Sequence, residues 1–137
     1  MINNEIKGNA KPSVKVYIAS DIFSQERKNI INTNARLLRQ LGFEVYVPHE
    51  HEVDYAHTLP NPEWAKKVFE ADIAAIDACD ILYYICEGMN GDIGAAWECG
   101  YAYAKGKRIR VEELNPHEKI SLMVAQTAEN QIVGYQS

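Results

Sequence analysis

The sequence predicts a single α/β domain built around a doubly wound parallel sheet. Short apolar segments typical of strands alternate with longer segments of helical periodicity between residues 14 and 128. Alternation of this kind produces parallel strands joined by right-handed helical crossovers. The 137 residues, 47% of them hydrophobic, suffice for one domain with its own core. We therefore expect one domain over residues 1–137, in which the polar residues 1–12 form a loose N-terminal arm.

About five strands are expected, each a short run rich in β-branched or aromatic residues. The first four runs are VKVYIA (14–19), FEVYVP (43–48), DILYYIC (80–86) and KRIRV (107–111). The fifth candidate is QIVGY (131–135), near the end of the chain. A parallel sheet of this size with helices on both faces is a flavodoxin-like fold.

The helices between the strands are delimited by residues that favour helix ends. Ser24 can cap a first helix, and Gly42 can end it. Asn61 followed by Pro62 favours a second start, because proline is well tolerated at the first helical position. Gly106 follows a third helix. The predicted helices cover residues 25–41, 61–79, 93–105 and 116–128.

The loops after the first and third strands are the expected place for a functional site. In doubly wound sheets, ligands bind beyond the carboxyl ends of the strands, where the strand order reverses. Residues 20–24 and 87–92 occupy that edge of the predicted sheet. Within the first loop we expect Ser20, Asp21 and Phe23 to contact the substrate.

The charge balance limits the class of partner. The net charge is −5 and the pI about 5.3, whereas duplex nucleic acid and anionic membranes are bound through basic surfaces. Acidic residues interrupt the most apolar stretch, so no segment reaches membrane length. An odd number of cysteines without metal-binding spacing, and a polar N-terminus without a signal peptide, predict a cytoplasmic protein. We therefore expect no nucleic-acid partner and no membrane partner.

Glu98 is the strongest single candidate for chemistry. It is the only charged residue between Asp92 and Lys105, in a predicted helix that is otherwise apolar or small on nearly every side. Charged residues are seldom buried without a partner or a purpose. An ionised, partly desolvated carboxylate beside a cleft is a candidate nucleophile. The alternative is a solvated glutamate on an exposed edge of the helix.

Asp72 is a second unusual carboxylate. It falls on one i, i+4 ridge with Trp64, Val68 and Ile76, which is the apolar ridge that a core-facing helix needs. Burial raises the pKa of a carboxyl group, and a raised pKa suits a general acid. The alternative is a structural aspartate that hydrogen-bonds to the backbone.

Tyr17 and Asp92 accompany these carboxylates. Tyr17 lies near the end of the first strand, where it either packs in the core or presents its hydroxyl to the site. Asp92 precedes the third helix, and its alternative role is an N-cap. In retaining glycosyl transfer, one carboxylate attacks the anomeric carbon while another carboxyl group protonates the leaving group.

Four features together resemble the nucleoside 2-deoxyribosyltransferase family. They are VYIAS in the first strand, ADIAAID in the second helix, CDILYYI in the third strand and D-x-G-x-x-x-E-x-G-Y-A at residues 92–102. The resemblance covers about residues 14–128. It implies an enzyme that needs no cofactor, cleaves the N-glycosidic bond of a 2′-deoxynucleoside and passes the sugar to another base or to water.

The resemblance also implies roles for individual residues. Glu98 corresponds to the nucleophile that forms a deoxyribosyl ester, and Tyr17 to the hydroxyl that orients it. Asp72 corresponds to the residue that handles the proton of the base. Asp92 corresponds to the group that hydrogen-bonds the sugar 5′-hydroxyl, and Gly94 belongs to the same substrate-binding motif.

A segment near the end of the chain, residues 121–123, bears on two points: whether subunits share a site, and whether the substrate carries a phosphate. In the family, a neighbouring subunit completes the pocket, usually with Asn-Leu-Met; here the segment is Ser121-Leu122-Met123. We therefore expect Ser121 and Met123 to contact substrate in a homo-oligomer. In the family's hydrolase branch, which cleaves deoxynucleoside monophosphates, a serine at this position helps bind phosphate. Asp92 favours nucleosides instead, because a carboxylate repels phosphate.

Two other interpretations of the sequence are a non-catalytic sensor and a metal site. A family member that binds a nucleoside or nucleotide without turnover would be a sensor module on the same sheet. Dinucleotide and P-loop motifs are missing from the sequence. His49, His51 and His57 cluster with acidic residues, but their spacing matches no strong metal motif, and we expect no metal.

Overall fold

The computed structural model describes residues 13–20, 24–51, 61–88, 93–133 and 135. In these residues four strands and five helices follow one another along the chain. The strands are β1 (Lys15–Ala19), β2 (Glu44–Tyr46), β3 (Ile81–Cys86) and β4 (Arg108–Glu113). The helices are α1 (Gln25–Gln40), α2 (Pro48–His51), α3 (Asn61–Ala78), α4 (Ile93–Ala104) and α5 (Leu122–Thr127). The predicted N-terminal arm, residues 1–12, lies outside the described residues.

The sheet is parallel throughout and has the strand order β2-β1-β3-β4. Tyr17 of β1 is in register with Tyr46 of β2 on one side and with Leu82 of β3 on the other. The chain therefore extends the sheet first to one side of β1 and then to the other, which places the switch in strand order between β1 and β3. This arrangement confirms the predicted doubly wound, flavodoxin-like fold.

The two faces of the sheet carry separate apolar cores, because successive side chains of a strand point to opposite faces. Val16 and Ile18 of β1 pack with Ile31 of α1 on one face. Tyr17 and Ala19 pack on the other face, where α3, α4 and α5 contribute their buried residues. Helices thus cover both faces, and the face with α3 and α4 is the one that carries the carboxylates singled out in the sequence.

The helix ends follow the expected local chemistry. The Ser24 side chain accepts a hydrogen bond from the Arg27 backbone N–H at 3.1 Å and caps α1. Gly42 and Gly106 end α1 and α4 with φ angles of 98° and 80°, which glycine adopts without steric cost. None of the described helices combines the length and the apolar character that a membrane span requires.

The predicted fifth strand, QIVGY, is wrong for the described residues 131–133 and 135, none of which is in a strand. The segment just before it already occupies the edge of β4. The Asn130 carboxamide accepts from the Val111 N–H at 3.0 Å and donates to the Val111 carbonyl at 2.9 Å. The Glu129 N–H donates to the Ile109 carbonyl at 2.8 Å. A side-chain amide and one backbone bond thus cap the edge where strand pairing was expected.

The predicted helix over residues 116–128 is wrong in its first half, because α5 begins only at Leu122. The preceding residues form a turn in which the Glu118 N–H donates to the Asn115 carbonyl at 3.1 Å. Ile120 is completely buried, and its carbonyl accepts from the Tyr135 hydroxyl at 2.8 Å. Ile120 thus serves tertiary packing, with its side chain in the core and its carbonyl bonded to Tyr135, at a position where the prediction placed a helical turn.

Candidate active site

A cavity of about 440 Å³ lies beyond the carboxyl ends of β1 and β2, between α3 and α4. Ser20 follows β1 directly, and Pro48 begins α2 just after β2. The wall is formed mainly by apolar side chains together with two carboxylates. Its lining residues are Ser20, Pro48, Trp64, Ala65, Val68, Phe69, Asp72, Ile73, Gly94, Trp97 and Glu98.

Glu98 reaches the cavity from the second turn of α4. It is the one charged residue of this helix, whose neighbouring residues Ala95, Cys99 and Ala102 are fully buried against the sheet. The carboxylate accepts a hydrogen bond from the hydroxyl of Tyr17 on β1. The Glu98 side chain is half-buried and lines the cavity, and its carboxylate is hydrogen-bonded to a strand of the sheet beneath.

Tyr17 is completely buried beneath the cavity. Burial raises the pKa of this phenol, and the nearby charges of Glu98 and Asp72 raise it further. Tyr17 therefore keeps its proton over the whole physiological pH range. A permanent donor at this position fixes the orientation of the Glu98 carboxylate and stabilises its ionised form.

Asp72 faces the same cavity from α3. It is half-buried among Val68 and Ile73, which line the wall beside it. The pKa of Tyr46 on β2 is raised by burial first and then by the nearby carboxylate of Asp72. The structure thus brings two carboxylates from two different helices to a single cavity, each with its own tyrosine.

The outer part of the wall is aromatic. The rings of Phe69 and Trp97 lie 5.8 Å apart at an angle of 54°, one from α3 and one from α4. Trp97 also stacks on Tyr101 at 5.6 Å and 3°. Half-exposed flat rings beside a largely apolar cavity suit a ligand with a flat apolar face.

The ionisable lining residues of the described wall, Asp72 and Glu98, are both acidic. Arg27, in the first turn of α1, is not a lining residue and is paired with an acidic side chain. Its guanidinium forms an ion pair with Glu87 at 2.8 Å, and its side chain is only 9% exposed. A neutral ligand is therefore favoured over an anionic one in this part of the site.

The family of the chain is settled by its match, over residues 16–129, to the sequence model of the nucleoside 2-deoxyribosyltransferases. The chain belongs to this family. It is thereby a glycosyl-transferring enzyme of the deoxyribosyltransferase type. No match was found among curated protein sequences.

Solved structures of similar proteins agree with this assignment. A 2-deoxyribosyltransferase from the psychrotolerant bacterium Bacillus psychrosaccharolyticus is 30% identical with a TM-score of 0.76, and the match covers 84% of this chain and 82% of that one. A conserved protein from Enterococcus faecalis V583 is 29% identical with a TM-score of 0.63, covering 73% and 63%. A 2-desoxiribosyltransferase from Leishmania mexicana, at 22% identity and a TM-score of 0.59 over 87% and 79%, shares the fold.

The other residues that the sequence associates with this family's site are placed differently. Ser20 and Gly94 line the cavity beside the carboxylates. Asp21, Phe23 and Asp92 lie outside the described residues. Their predicted contacts with substrate therefore stay predictions.

Ser121 and Met123 lie away from this cavity within one chain. Ser121 precedes α5, and Met123 lines a separate groove of about 360 Å³ between α4 and α5. Met123 is 74% exposed. A single deoxyribosyltransferase chain therefore does not bring these two residues to Glu98.

The histidines predicted as an alternative metal cluster have other contacts. His49 pairs with the Asn32 side chain at 3.0 Å, and the His51 ring stacks on Tyr46 at 4.3 Å. His57 lies outside the described residues. Across the described ranges, no three His, Cys, Asp or Glu side chains come together as a metal site.

Sequence reasoning missed Tyr46, Phe69 and Trp97. The signal for Tyr46 was its place in EVYVP, a strand that runs parallel to VKVYIA and brings Tyr46 level with Tyr17. Phe69 precedes Asp72 by three residues and therefore shares its helix face. Trp97 directly precedes Glu98, and helical periodicity alone does not place it on the cavity wall.

Proposed function

We propose that this protein is a nucleoside 2-deoxyribosyltransferase that cleaves the N-glycosidic bond of 2′-deoxynucleosides through a covalent ester on Glu98. The observation that carries the proposal is the pairing of Glu98 and Asp72 across one cavity, with the Tyr17 hydroxyl bound to Glu98. One tethered carboxylate and one second carboxyl group are the parts that retaining glycosyl transfer requires. Membership of the family adds the sugar class.

In the first half of the reaction, a Glu98 carboxylate oxygen attacks C1′ of the deoxyribose. The N-glycosidic bond breaks, its electron pair stays on the leaving base, and the base takes the proton of Asp72. The sugar is then bound to Glu98 as an ester, and Asp72 is ionised. Tyr17 keeps Glu98 aligned for this attack, which is the geometric part of the acceleration.

In the second half, a ring nitrogen of another base attacks C1′, or water does so. Asp72 accepts the proton that the nucleophile loses, while the C1′–O bond to Glu98 breaks. The electron pair returns to the Glu98 carboxylate, to which the Tyr17 hydroxyl donates. Both residues are then back in their starting states, and no cofactor enters either half.

The described wall supports nucleosides over 5′-monophosphates, because its ionisable groups are carboxylates and Arg27 is already paired with Glu87. Phosphate brought to such a wall meets repulsion without a compensating cation. The second candidate, a deoxynucleoside 5′-monophosphate N-glycosidase, rests on Ser121 at the place of the family's asparagine. Ser121 would have to act from a partner subunit, because it lies beside the α4–α5 groove and outside the main cavity.

We further propose that the working unit is a homo-oligomer with shared sites. Leu122 and Met123 of α5 are 57% and 74% exposed. Large apolar side chains exposed next to each other are better accommodated in an interface with a second copy. A cytoplasmic location stays a prediction from the sequence.

The test uses the purified protein with one deoxynucleoside and a different free base, followed by separation of the products. A new deoxynucleoside with the second base is expected, and thymidine and deoxyinosine should be compared as sugar donors. The same donors as 5′-monophosphates should react with a kcat/KM at least about 10-fold lower, which is about 1.4 kcal/mol of lost transition-state binding. Faster release from the monophosphates would instead favour the N-glycosidase, and binding without any release would favour the sensor.

A further inference from the structure

Two tyrosines from neighbouring strands lie side by side beneath the cavity. Tyr17 and Tyr46 are register partners in the parallel pair of β1 and β2. Their rings stack with centroids 5.5 Å apart at an angle of 11°. The His51 ring, from α2, also stacks on Tyr46, at 4.3 Å and 2°. Both neighbours restrict the Tyr46 ring to a single plane.

The two tyrosine hydroxyls are directed to different carboxylates. Tyr17 donates to Glu98. The Asp72 carboxylate is near enough to the Tyr46 hydroxyl to raise its pKa, and Tyr46 lines a cavity together with Ala75, one helical turn after Asp72. Glu98 and Asp72 come from separate helices, but their hydroxyl partners are fixed to each other through the stacked rings and the strand register. The relative placement of the two carboxylates thus depends on a pair of neighbouring strands.

Tyr46 takes no part in the wall of the main cavity. It lines a separate cavity of about 240 Å³ between α3 and the edge formed by β1 and β2, together with His51 and Ala75. Any influence of Tyr46 on the reaction must therefore pass through its neighbours Asp72 and Tyr17 and not through contact with the substrate. Replacing Tyr46 by Phe keeps the stacking on Tyr17 and so isolates the part that acts through Asp72.

We propose that Tyr46 is a positioning residue for Asp72, whose hydroxyl orients this carboxyl group toward the leaving base and stabilises it after the proton has left. This inference rests on the proposed function. When Asp72 gives its proton to the base, its carboxylate becomes negative, and the Tyr46 hydroxyl donates to it without giving up its own proton. A hydrogen bond that strengthens as charge develops lowers the barrier more than it lowers the ground state.

The test is Tyr46→Phe, which keeps the stacked ring and removes only the hydroxyl. With a natural deoxynucleoside, kcat should fall about 10- to 100-fold, the range of a hydrogen bond to a charged group. The KM should change less than about 2-fold, because Tyr46 does not touch substrate. With a deoxyribosyl donor whose leaving group is 4-nitrophenolate and needs no protonation, the loss should stay below about 3-fold.

Tyr83→Phe is the matched control. Its hydroxyl donates to Glu112 at 3.2 Å on the β3–β4 side of the sheet, so the same atom is removed at a place remote from Asp72. This variant should keep the wild-type rate with both donors. The melting temperature of each variant shows whether the fold has been retained.

A double-mutant cycle with Asp72→Asn separates positioning from packing. In the Asn background, Tyr46→Phe should cost less than about 2-fold, since the group that it positions is gone. Equal losses with both donors, or an undiminished loss in the Asn background, would overturn the role of Tyr46 while leaving the proposed function standing. A wild-type protein that cleaves neither donor would remove the proposed function and this inference together.

Discussion

The two helices that face each other across the cavity are built very differently. Within α4 the only charge is Glu98, in a sequence of small and apolar residues. In α3 six residues are charged, and Asp72 is one of them: the set is Glu63, Lys66, Lys67, Glu70, Asp72 and Asp77. A single charged residue among apolar and small residues stands out in a sequence, whereas one charged residue among several on an amphipathic helix does not. The contrast also predicts different sensitivities to mutation.

The largest effect is expected at α4. Glu98→Ala removes the carboxylate that would form the ester, so kcat/KM should fall by about 1,000-fold or more. Because the side chain is half-buried at the cavity wall, the fold should be retained, which circular dichroism can check. Glu112→Ala is the control, since it removes an exposed glutamate on β4. A Glu98→Ala variant with a normal rate would contradict the role of Glu98 as nucleophile and the greater sensitivity expected of α4.

A smaller and more selective effect is expected at α3. Asp72→Asn keeps the shape of the side chain but has no carboxyl proton to give, so release of unactivated bases should slow by about 100-fold. Release of 4-nitrophenolate should be affected far less.

Asp77→Asn is the control on the same helix, because Asp77 accepts from Tyr101 at 2.7 Å on the exposed side. Equal losses with both leaving groups in Asp72→Asn would contradict an acid role and leave a structural one.

The third effect concerns α5, which lies beyond both cavity helices. Met123→Asp should lower activity by about 10-fold, because a charge placed in the proposed oligomer contact would oppose association. Leu41→Asp is the control, since Leu41 is 76% exposed at the end of α1 and should tolerate the change.

Complementation sharpens this test. Mixing Glu98→Ala with Met123→Asp, under conditions that let subunits exchange, should restore part of the activity. A fully active monomer, measured by light scattering at the assay concentration, would rule out shared sites.

Most of the fold followed from local signals in the sequence. Ser24, Gly42 and Gly106 mark helix ends through their own chemistry, and the alternation of apolar runs was enough for a parallel sheet. The failures lie where tertiary contacts decide. Asn130 occupies the edge of β4 with a side chain, and the buried Ile120 delays the start of α5; neither contact has a local pattern.

The candidate site shows the same difference between residues with a local sequence pattern and residues placed by tertiary contacts. Glu98 could be identified because it is the only charge in an apolar helix, and Asp72 because it falls on the apolar ridge of an otherwise charged helix. Tyr46 could not, because its proximity to Asp72 depends on the order of the strands and on the packing of α3 beside Tyr46. Ser121 and Met123 do not line the described cavity, and their predicted contact with substrate would need the proposed second chain, whose placement no local sequence pattern specifies.

The central claim is that Glu98 becomes covalently bound to the sugar, and mass spectrometry of the protein during turnover tests it directly. The protein should be incubated with a deoxynucleoside, without an acceptor base, and quenched in acid. We expect a mass increase of one deoxyribosyl group, located by peptide fragmentation on Glu98 and missing in Glu98→Ala. Turnover at a normal rate with no adduct, or an adduct on any other residue, would contradict the account.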